Sequence, residues 1–270
     1  MAITALHTAA TGLSALGTEL DVIANNLANI NTDGFKSSRV NFEDLIYQTK
    51  AQPGVENAIG DQRPMGTQVG LGVRVSNTQT DFSQGELVPT EQPLDLAIEG
   101  AGFFRVQILP DQADGFGYTR AGNFALNSDG DVVLGNADGP RLDPPINIDS
   151  TEYSSIEISN TGDVIGFGPG AIEGDNLGQI DLFTFVNPEG LEHIGGNLFV
   201  ESVASGPSIG GQPGEGKLGL VRQGFLESSN VDPTIELVNL IKTQRAFEMN
   251  SKTIEAADQT LQTISNLRRF

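Results

Sequence analysis

The sequence predicts an α+β protein. Long N- and C-terminal helices are expected to pair as an antiparallel coiled coil, with an antiparallel β-rich domain between them and an extended arm after the first helix. Three observations predict this. Apolar residues recur every seven positions at both ends of the chain, as they do in helices that bury a seam against a partner helix. The middle is Gly-rich, with short alternating apolar runs between turn residues, which is how small antiparallel sheets read. Charge is also segregated within a formal net charge of -20: residues 1–31 carry Glu19 and Asp21 and no base, residues 233–270 five bases and four acids, and the middle ten bases against 29 acids. Near-neutral ends are free to pack, whereas an acidic, solvated body is a poor partner for nucleic acid or an anionic membrane.

The first helix is read over residues 4–30, with Thr4 as its N-cap. Leu6, Leu13, Leu20 and Leu27 form one line of the seam, and Ala9, Leu16, Ile23 and Ile30 the other. Off the seam the residues are small (Ala5, Ala10, Gly12, Ser14, Ala15, Gly17), which allows helices of other subunits to approach closely. Then comes ANNLANINTDGFK, Ala24 to Lys36. Asn25, Asn26 and Asn29 read as polar groups that fix register between packed helices, because a buried amide left unpaired is costly. Asn29 and Asn31 can bond their own backbone and Gly34 can turn left-handed, so the helix stops near here, and Phe35 and Lys36 begin a different structure. The expected organisation is a core helix over 1–34, an arm over 35–75, a β-rich domain over 76–227 and a second core helix over 228–270.

From Thr49 to Val69 the arm is polar and punctuated: TKAQPGVENAIGDQRPMGTQV contains Pro53, Gly54, Gly60, Pro64 and Gly66, so a hairpin or irregular arm is expected. Strand signals run from Leu71 to about Ile108, with Gly100 and Gly102 making a turn. A hairpin follows around Asp129-Gly130, with further strands at Ser155 to Ile158, Asp163 to Gly166, Gln179 to Phe185, Leu198 to Val200 and Leu218 to Phe225. This spacing suits a small antiparallel barrel or sandwich. Asp232-Pro233 then starts a helix: a capping carboxylate, a proline whose missing N–H is not needed in the first turn, and Glu236 favourable to the dipole. Leu240, Phe247, Ile254 and Leu261, supported by Ala257 and Ile264, give it a heptad seam.

Catalytic chemistry is thin. The two histidines, His7 and His193, stand in no triad pattern, and no paired carboxylates can be located, so no enzyme activity is expected. The acidic turn NSDGD lacks the spacing and closing glutamate of a calcium loop, and neither glycine cluster has dinucleotide-binding spacing. No metal or cofactor is expected. Without cysteine there is no disulfide framework, and neither a signal peptide nor an apolar run of membrane-spanning length is visible.

GLSAL, ANNLANINTDGFK, AIEGAGFF, YTRAGNF and SSNVDPTIELVNLIKTQRAFEMNSK, in this order, closely resemble the bacterial flagellar axial proteins of the rod and hook class. YQTKAQPG followed by GLGVRV is similar to the long insert of the distal rod members. The resemblance implies a subunit of a helical tube, exported through the flagellar type III apparatus and assembled beyond the inner membrane. Its partners would be further copies of itself, proximal rod and hook proteins, and hook-end and ring proteins. The resemblance also implies that Asn25, Asn26, Asn29, Asn31, Thr32, Gly34, Phe35, Gln244 and Arg245 belong to the family motif, and that Tyr47, Gln48, Pro53, Gly54 and Pro64 make an intersubunit arm. Its function would be a drive shaft enclosing an export channel. The alternatives are a hook or proximal rod subunit, a secreted β-rich binding module, and an enzyme acting on peptidoglycan.

Overall fold

The computed structural model describes residues 2–54, 64–109, 115–149, 151–171 and 173–267. They form two compact units, each built from segments distant in sequence.

The first unit holds helix α1 (Ala2–Ala28), helix α2 (Pro233–Leu267), and strands β1 (Ser38–Asp44), β2 (Tyr47–Ala51), β3 (Thr67–Gly70) and β4 (Val73–Thr80). α2 begins at the expected cap: Asp232 Oδ1 accepts from the backbone N–H of Thr234 at 2.8 Å and of Ile235 at 3.2 Å. The strands make two successive antiparallel ladders, Ser38 to Asp44 against Val73 to Thr80 and Tyr47 to Ala51 against Thr67 to Gly70.

The α+β class stands, but the coiled coil is corrected. A coiled coil seats large apolar knobs in holes of the facing helix. Here the most buried positions of α1 are Ala9, Gly12, Ala15, Ile23 and Asn26, while Leu6, Leu13, Leu16, Leu20 and Leu27 are only half-buried. On α2, Thr243 is buried and Phe247 is 37 % exposed. Where the helices touch, a Cβ on Gly12 would stand 3.0 Å from Asn250 Nδ2, and Asn26 Nδ2 donates to Glu236 Oε1 at 3.3 Å. The contact line is therefore mostly small and polar, with Ile23, among the described residues, the one large apolar side chain buried on that face, and the helices run in opposite directions along it. α1 is also shared with the hairpin, because β1 and β4 pack on it as well. Gly72 lies so close that a Cβ there would come within 2.1 Å of Thr11 Oγ1, and His7 Nδ1 is 3.3 Å from the Leu71 carbonyl oxygen. A seven-residue repeat identifies an apolar stripe but not how many partners divide it.

The second unit comprises residues 29–37 and 81–231. Its main sheet has seven antiparallel strands in the order β16 (Glu192–Gly195), β17 (Leu198–Val200), β8 (Phe116–Thr119), β7 (Phe104–Gln107), β11 (Arg141–Asp143), β10 (Val132–Leu134) and β9 (Phe124–Leu126). Smaller antiparallel sheets join β12 (Ser155–Ile158), β13 (Asp163–Phe167) and β14 (Asp175–Gln179), and β15 (Leu182–Thr184) to β18 (Ile209–Gly211). Two further pairs bring the end of the unit back to its beginning: β19 (Leu220–Gln223) on β6 (Leu96–Glu99), and β20 (Phe225–Glu227) on β5 (Leu87–Pro89). One core gathers Leu96, Ile98, Phe104, Leu134, Leu142 and Val221, and a second, aromatic one gathers Phe103, Tyr118, Phe183, Phe185 and Phe199. In the second core the rings meet edge to face, as Tyr118 and Phe185 do at 4.8 Å. The turn at Asn127 closes as its sequence requires: Asn127 Oδ1 accepts from the N–H groups of Asp129 and Asp131, and Gly130 takes φ 82°.

Candidate functional site: the connector motif and its buried ion cluster

The TDGFK motif follows α1 and lies within the second unit. Its backbone turns twice, Thr32 N–H donating to Asn29 O and Phe35 N–H to Thr32 O, each at 3.2 Å. The Thr32 hydroxyl donates to Asn29 Oδ1 at 3.2 Å, so the first asparagine and the threonine brace the turn. Gly34 then adopts φ 70° and donates its N–H to Glu227 O at 2.7 Å. A Cβ there would stand 2.5 Å from Ala121 N and 2.7 Å from the Arg120 carbonyl carbon, so the position combines a left-handed backbone with direct contact between two main chains.

That close approach delivers Lys36 into the interior. Lys36 is 1 % exposed, and its ammonium donates to Glu227 Oε1 at 2.5 Å and to the Ser83 carbonyl at 2.7 Å. The same carboxylate oxygen accepts the Gly85 N–H at 2.9 Å, and Glu227 Oε2 faces Arg120 Nη1 at 3.3 Å. Arg120 is buried too: it donates to the Gly100 carbonyl at 2.8 Å and lies over the Phe103 ring at 5.4 Å. Burial pushes the Lys36 ammonium below its ordinary pKa, opposed by the Glu227 carboxylate, and burial lowers Arg120 against the same opposition. Asn230 stands beside the cluster. Its Oδ1 accepts the Ser37 N–H at 2.7 Å while its Nδ2 donates to the Asp81 carbonyl at 2.8 Å.

In the first unit Asn26 has a similar satisfied role. Its amide is almost fully buried, donates to the Ser38 carbonyl at 2.8 Å and accepts the Ser38 N–H at 3.0 Å, in addition to meeting Glu236. One side chain thus ties α1 to the first residue of β1 and to the start of α2.

The structure gathers some of the sequence-predicted residues and separates others. Asn29, Thr32, Gly34 and Phe35 lie together in the connector, and Asn31 is exposed beside Thr32 and Asp33 on the rim of a polar depression that Asn123 and Asn136 complete. Asn25 is exposed on α1, and Ile30 lies past the end of that helix. Leu240, Ile254 and Leu261 are half-buried on α2, Gln244 and Arg245 are exposed on it, and the Ile264 side chain lies outside the described residues. Tyr47 and Gln48 pair with Gly70 and Val69 in the β2–β3 ladder; Pro53 and Gly54 form a turn beyond it, Pro64 is exposed, and residues 55–63 lie outside the described residues. His193 tilts against Phe199 at 4.6 Å between ring centroids, and burial lowers its pKa from the ordinary value. Among the described residues no grouping of three or more His, Asp or Glu is placed to hold a metal ion, and no helix is long and apolar enough to cross a membrane.

Sequence reasoning missed Glu227, Arg120, Lys36 and Asn230 as a constellation. The signal was present: a single cation in each of two short motifs, Lys36 in TDGFK and Arg120 in YTRAGNF, and a glutamate directly before SSNVDP.

Comparison with known proteins places these motifs in one family. Residues 6–36 match the flagella basal body rod protein family, residues 97–166 the D1 domain of the flagellar hook protein FlgE/F/G family, and residues 222–267 the C-terminal region of the flagellar basal body rod FlgEFG proteins. Each of the three stretches contributes one member of the Lys36, Arg120 and Glu227 cluster. The flagellar basal-body rod protein FlgG of Buchnera aphidicola is 44 % identical over 98 % of this chain and 100 % of its own. That of Borreliella burgdorferi is 44 % identical over 98 % of both chains. The flagellar hook-basal body complex protein FlhP of Bacillus subtilis is 32 % identical over 97 % of this chain and 98 % of its own. With full-length identity at this level and the motifs in one order, the chain belongs to the FlgG family of flagellar basal-body rod proteins.

Proposed function

We propose that the chain is a structural subunit of the flagellar distal rod, polymerising into a helical tube that transmits torque from motor to hook and encloses the export channel. The observation that supports this most is the outer side of α2. Ile235, Leu237, Val238, Ile241 and Met249 are each at least 45 % exposed, and Phe247, nearer by helical position to the side that meets α1, is still 37 % exposed. Apolar surface of this extent on one helix marks an interface. Further copies of the chain would cover it, with the terminal helices on the inside of the tube and residues 35–75 reaching neighbouring subunits. Proximal rod, hook, hook-end and ring proteins would be its neighbours in the basal body, reached through the type III export apparatus.

The test is Ile241→Asp or Phe247→Asp in a motile strain. Each side chain would contribute about 1.5–3 kcal/mol if fully buried between subunits. Both variants are expected to abolish rods while the purified chain keeps the thermal transition of its β-rich unit. Normal filaments and swimming in both would overturn the proposal. Removing residues 48–68 is expected to weaken lateral contacts or alter rod curvature, and straight, length-controlled rods would count against that role for the arm.

A further inference from the structure

The chain passes between its two compact units at residues 28/29, 37/38, 80/81 and 231/232. Within the second unit, the three segments next to these crossings are fastened to one another. Asp81 N–H donates to Ser37 O at 2.8 Å, Ser37 N–H to Asn230 Oδ1 at 2.7 Å, and Asn230 Nδ2 to Asp81 O at 2.8 Å, a closed triangle of three bonds. One layer deeper, Glu227 accepts from Lys36 and from the Gly85 N–H, while Lys36 also donates to Ser83 O. The three bonds of the outer layer join neutral groups, although Asp81 also brings a carboxylate whose charge acts on Lys36. The inner layer holds two cations and one anion, all buried.

A buried cation is tolerated only with its counter-charge in place. Lys36 is contributed early in the chain and Glu227 nearly 200 residues later. Until β20 has paired with β5, docking of residues 29–37 would bury an ammonium ion next to Arg120 without the carboxylate that bonds both, leaving only the weaker, unbonded pull of Asp81 on Lys36.

We infer that Glu227 is a conditional clasp: it permits the connector to dock only after the last strand of the β-rich unit is in place, and Lys36 is the group that enforces the condition. An apolar residue at 36 would allow docking without Glu227. The inference rests on the geometry of this unit alone and stands whether or not the chain forms a rod.

The experiment is hydrogen exchange followed by mass spectrometry on the purified full-length chain at neutral pH. It compares the parent, Glu227→Gln, and Glu227→Gln with Lys36→Met. In Glu227→Gln, exchange in residues 29–37 and 81–86 is expected to rise by about a hundredfold or more, as local opening replaces docking, while β7 and β10 keep parental protection. Adding Lys36→Met is expected to restore most of the connector's protection, because the uncompensated charge is gone. Parental exchange of the connector in Glu227→Gln would overturn the inference. So would loss of protection, local or general, that Lys36→Met leaves unimproved, since Glu227 would then be an ordinary packing residue.

Discussion

Replacement of Gly34 by alanine separates two costs that usually arrive together. At φ 70° an L-residue is strained by about 1–2 kcal/mol. Its Cβ would also stand 2.5 Å from Ala121 N and 2.7 Å from the Arg120 carbonyl carbon, where both obstructing groups are main chain and neither can rotate away. Forcing atoms into a packed site costs about 1–3 kcal/mol more, giving about 2–5 kcal/mol in all. Gly206 supplies the control. It has φ 73° in the same unit, yet an added Cβ would meet nothing within 4 Å, so Gly206→Ala carries the strain alone, about 1–2 kcal/mol. Calorimetry on the full-length chain reads both in the transition of the β-rich unit, where 1 kcal/mol corresponds to roughly 2–4 °C for a domain of this size. Gly34→Ala is expected to lower the transition clearly further than Gly206→Ala. Equal shifts would refute the reasoning, because they would mean that the contact between the two main chains adds nothing to the backbone strain.

Asn26→Leu removes an amide whose three bonds serve Ser38 and Glu236, and should cost the helix-bearing unit about 1–3 kcal/mol; an unchanged denaturation midpoint would refute it. Gly17 in α1 has nothing within 4 Å of an added Cβ, so Gly17→Ala should stabilise that helix by roughly 0.5–1 kcal/mol. Gly12→Ala, with the Asn250 amide at 3.0 Å, should gain clearly less, and equal gains would contradict the close packing there. His193 titrates below its ordinary 6.5 because burial disfavours the imidazolium. As pH falls through 6.5 the unfolded chain takes up the proton first, so stability should decline below that pH and level off once the folded form is protonated too. His193→Phe should remove that component of the pH dependence, and an unchanged profile would dismiss it.

Local chemistry made much of the fold legible. Asp232-Pro233 placed the start of α2 because a capping carboxylate and a fixed φ act within one turn, and the Asn127 turn was readable because one side-chain oxygen satisfies two nearby N–H groups. Strands such as Ser155–Ile158 and Leu198–Val200 announced themselves by apolar runs between turns. What the heptads did not reveal was the partition of α1 between a helix and a hairpin, since Leu13 and Leu20 read the same whichever element covers them. Nor did they show that the line of closest contact would run through Gly12 and Asn26. The ion cluster was illegible for a different reason. Lys36, Arg120 and Glu227 come together only through the pairing of β20 with β5 and the approach of Gly34 to Ala121, and neither long-range event leaves a periodic trace.

The smooth contact line of α1 also decides how the helix would respond to a push along its own axis. Alanines and glycines present a low-relief surface, so sliding one helix past another meets little interlocking of side chains. Resistance to slip then falls to discrete polar pegs, of which Asn26 is the most heavily anchored, holding both main-chain groups of Ser38 and the Glu236 carboxylate. A shift of one helical turn, about 5.4 Å, would break all three of its bonds at once. Axial position in this part of the molecule is therefore held in notches, not by friction, and between notches the chain is free to be set.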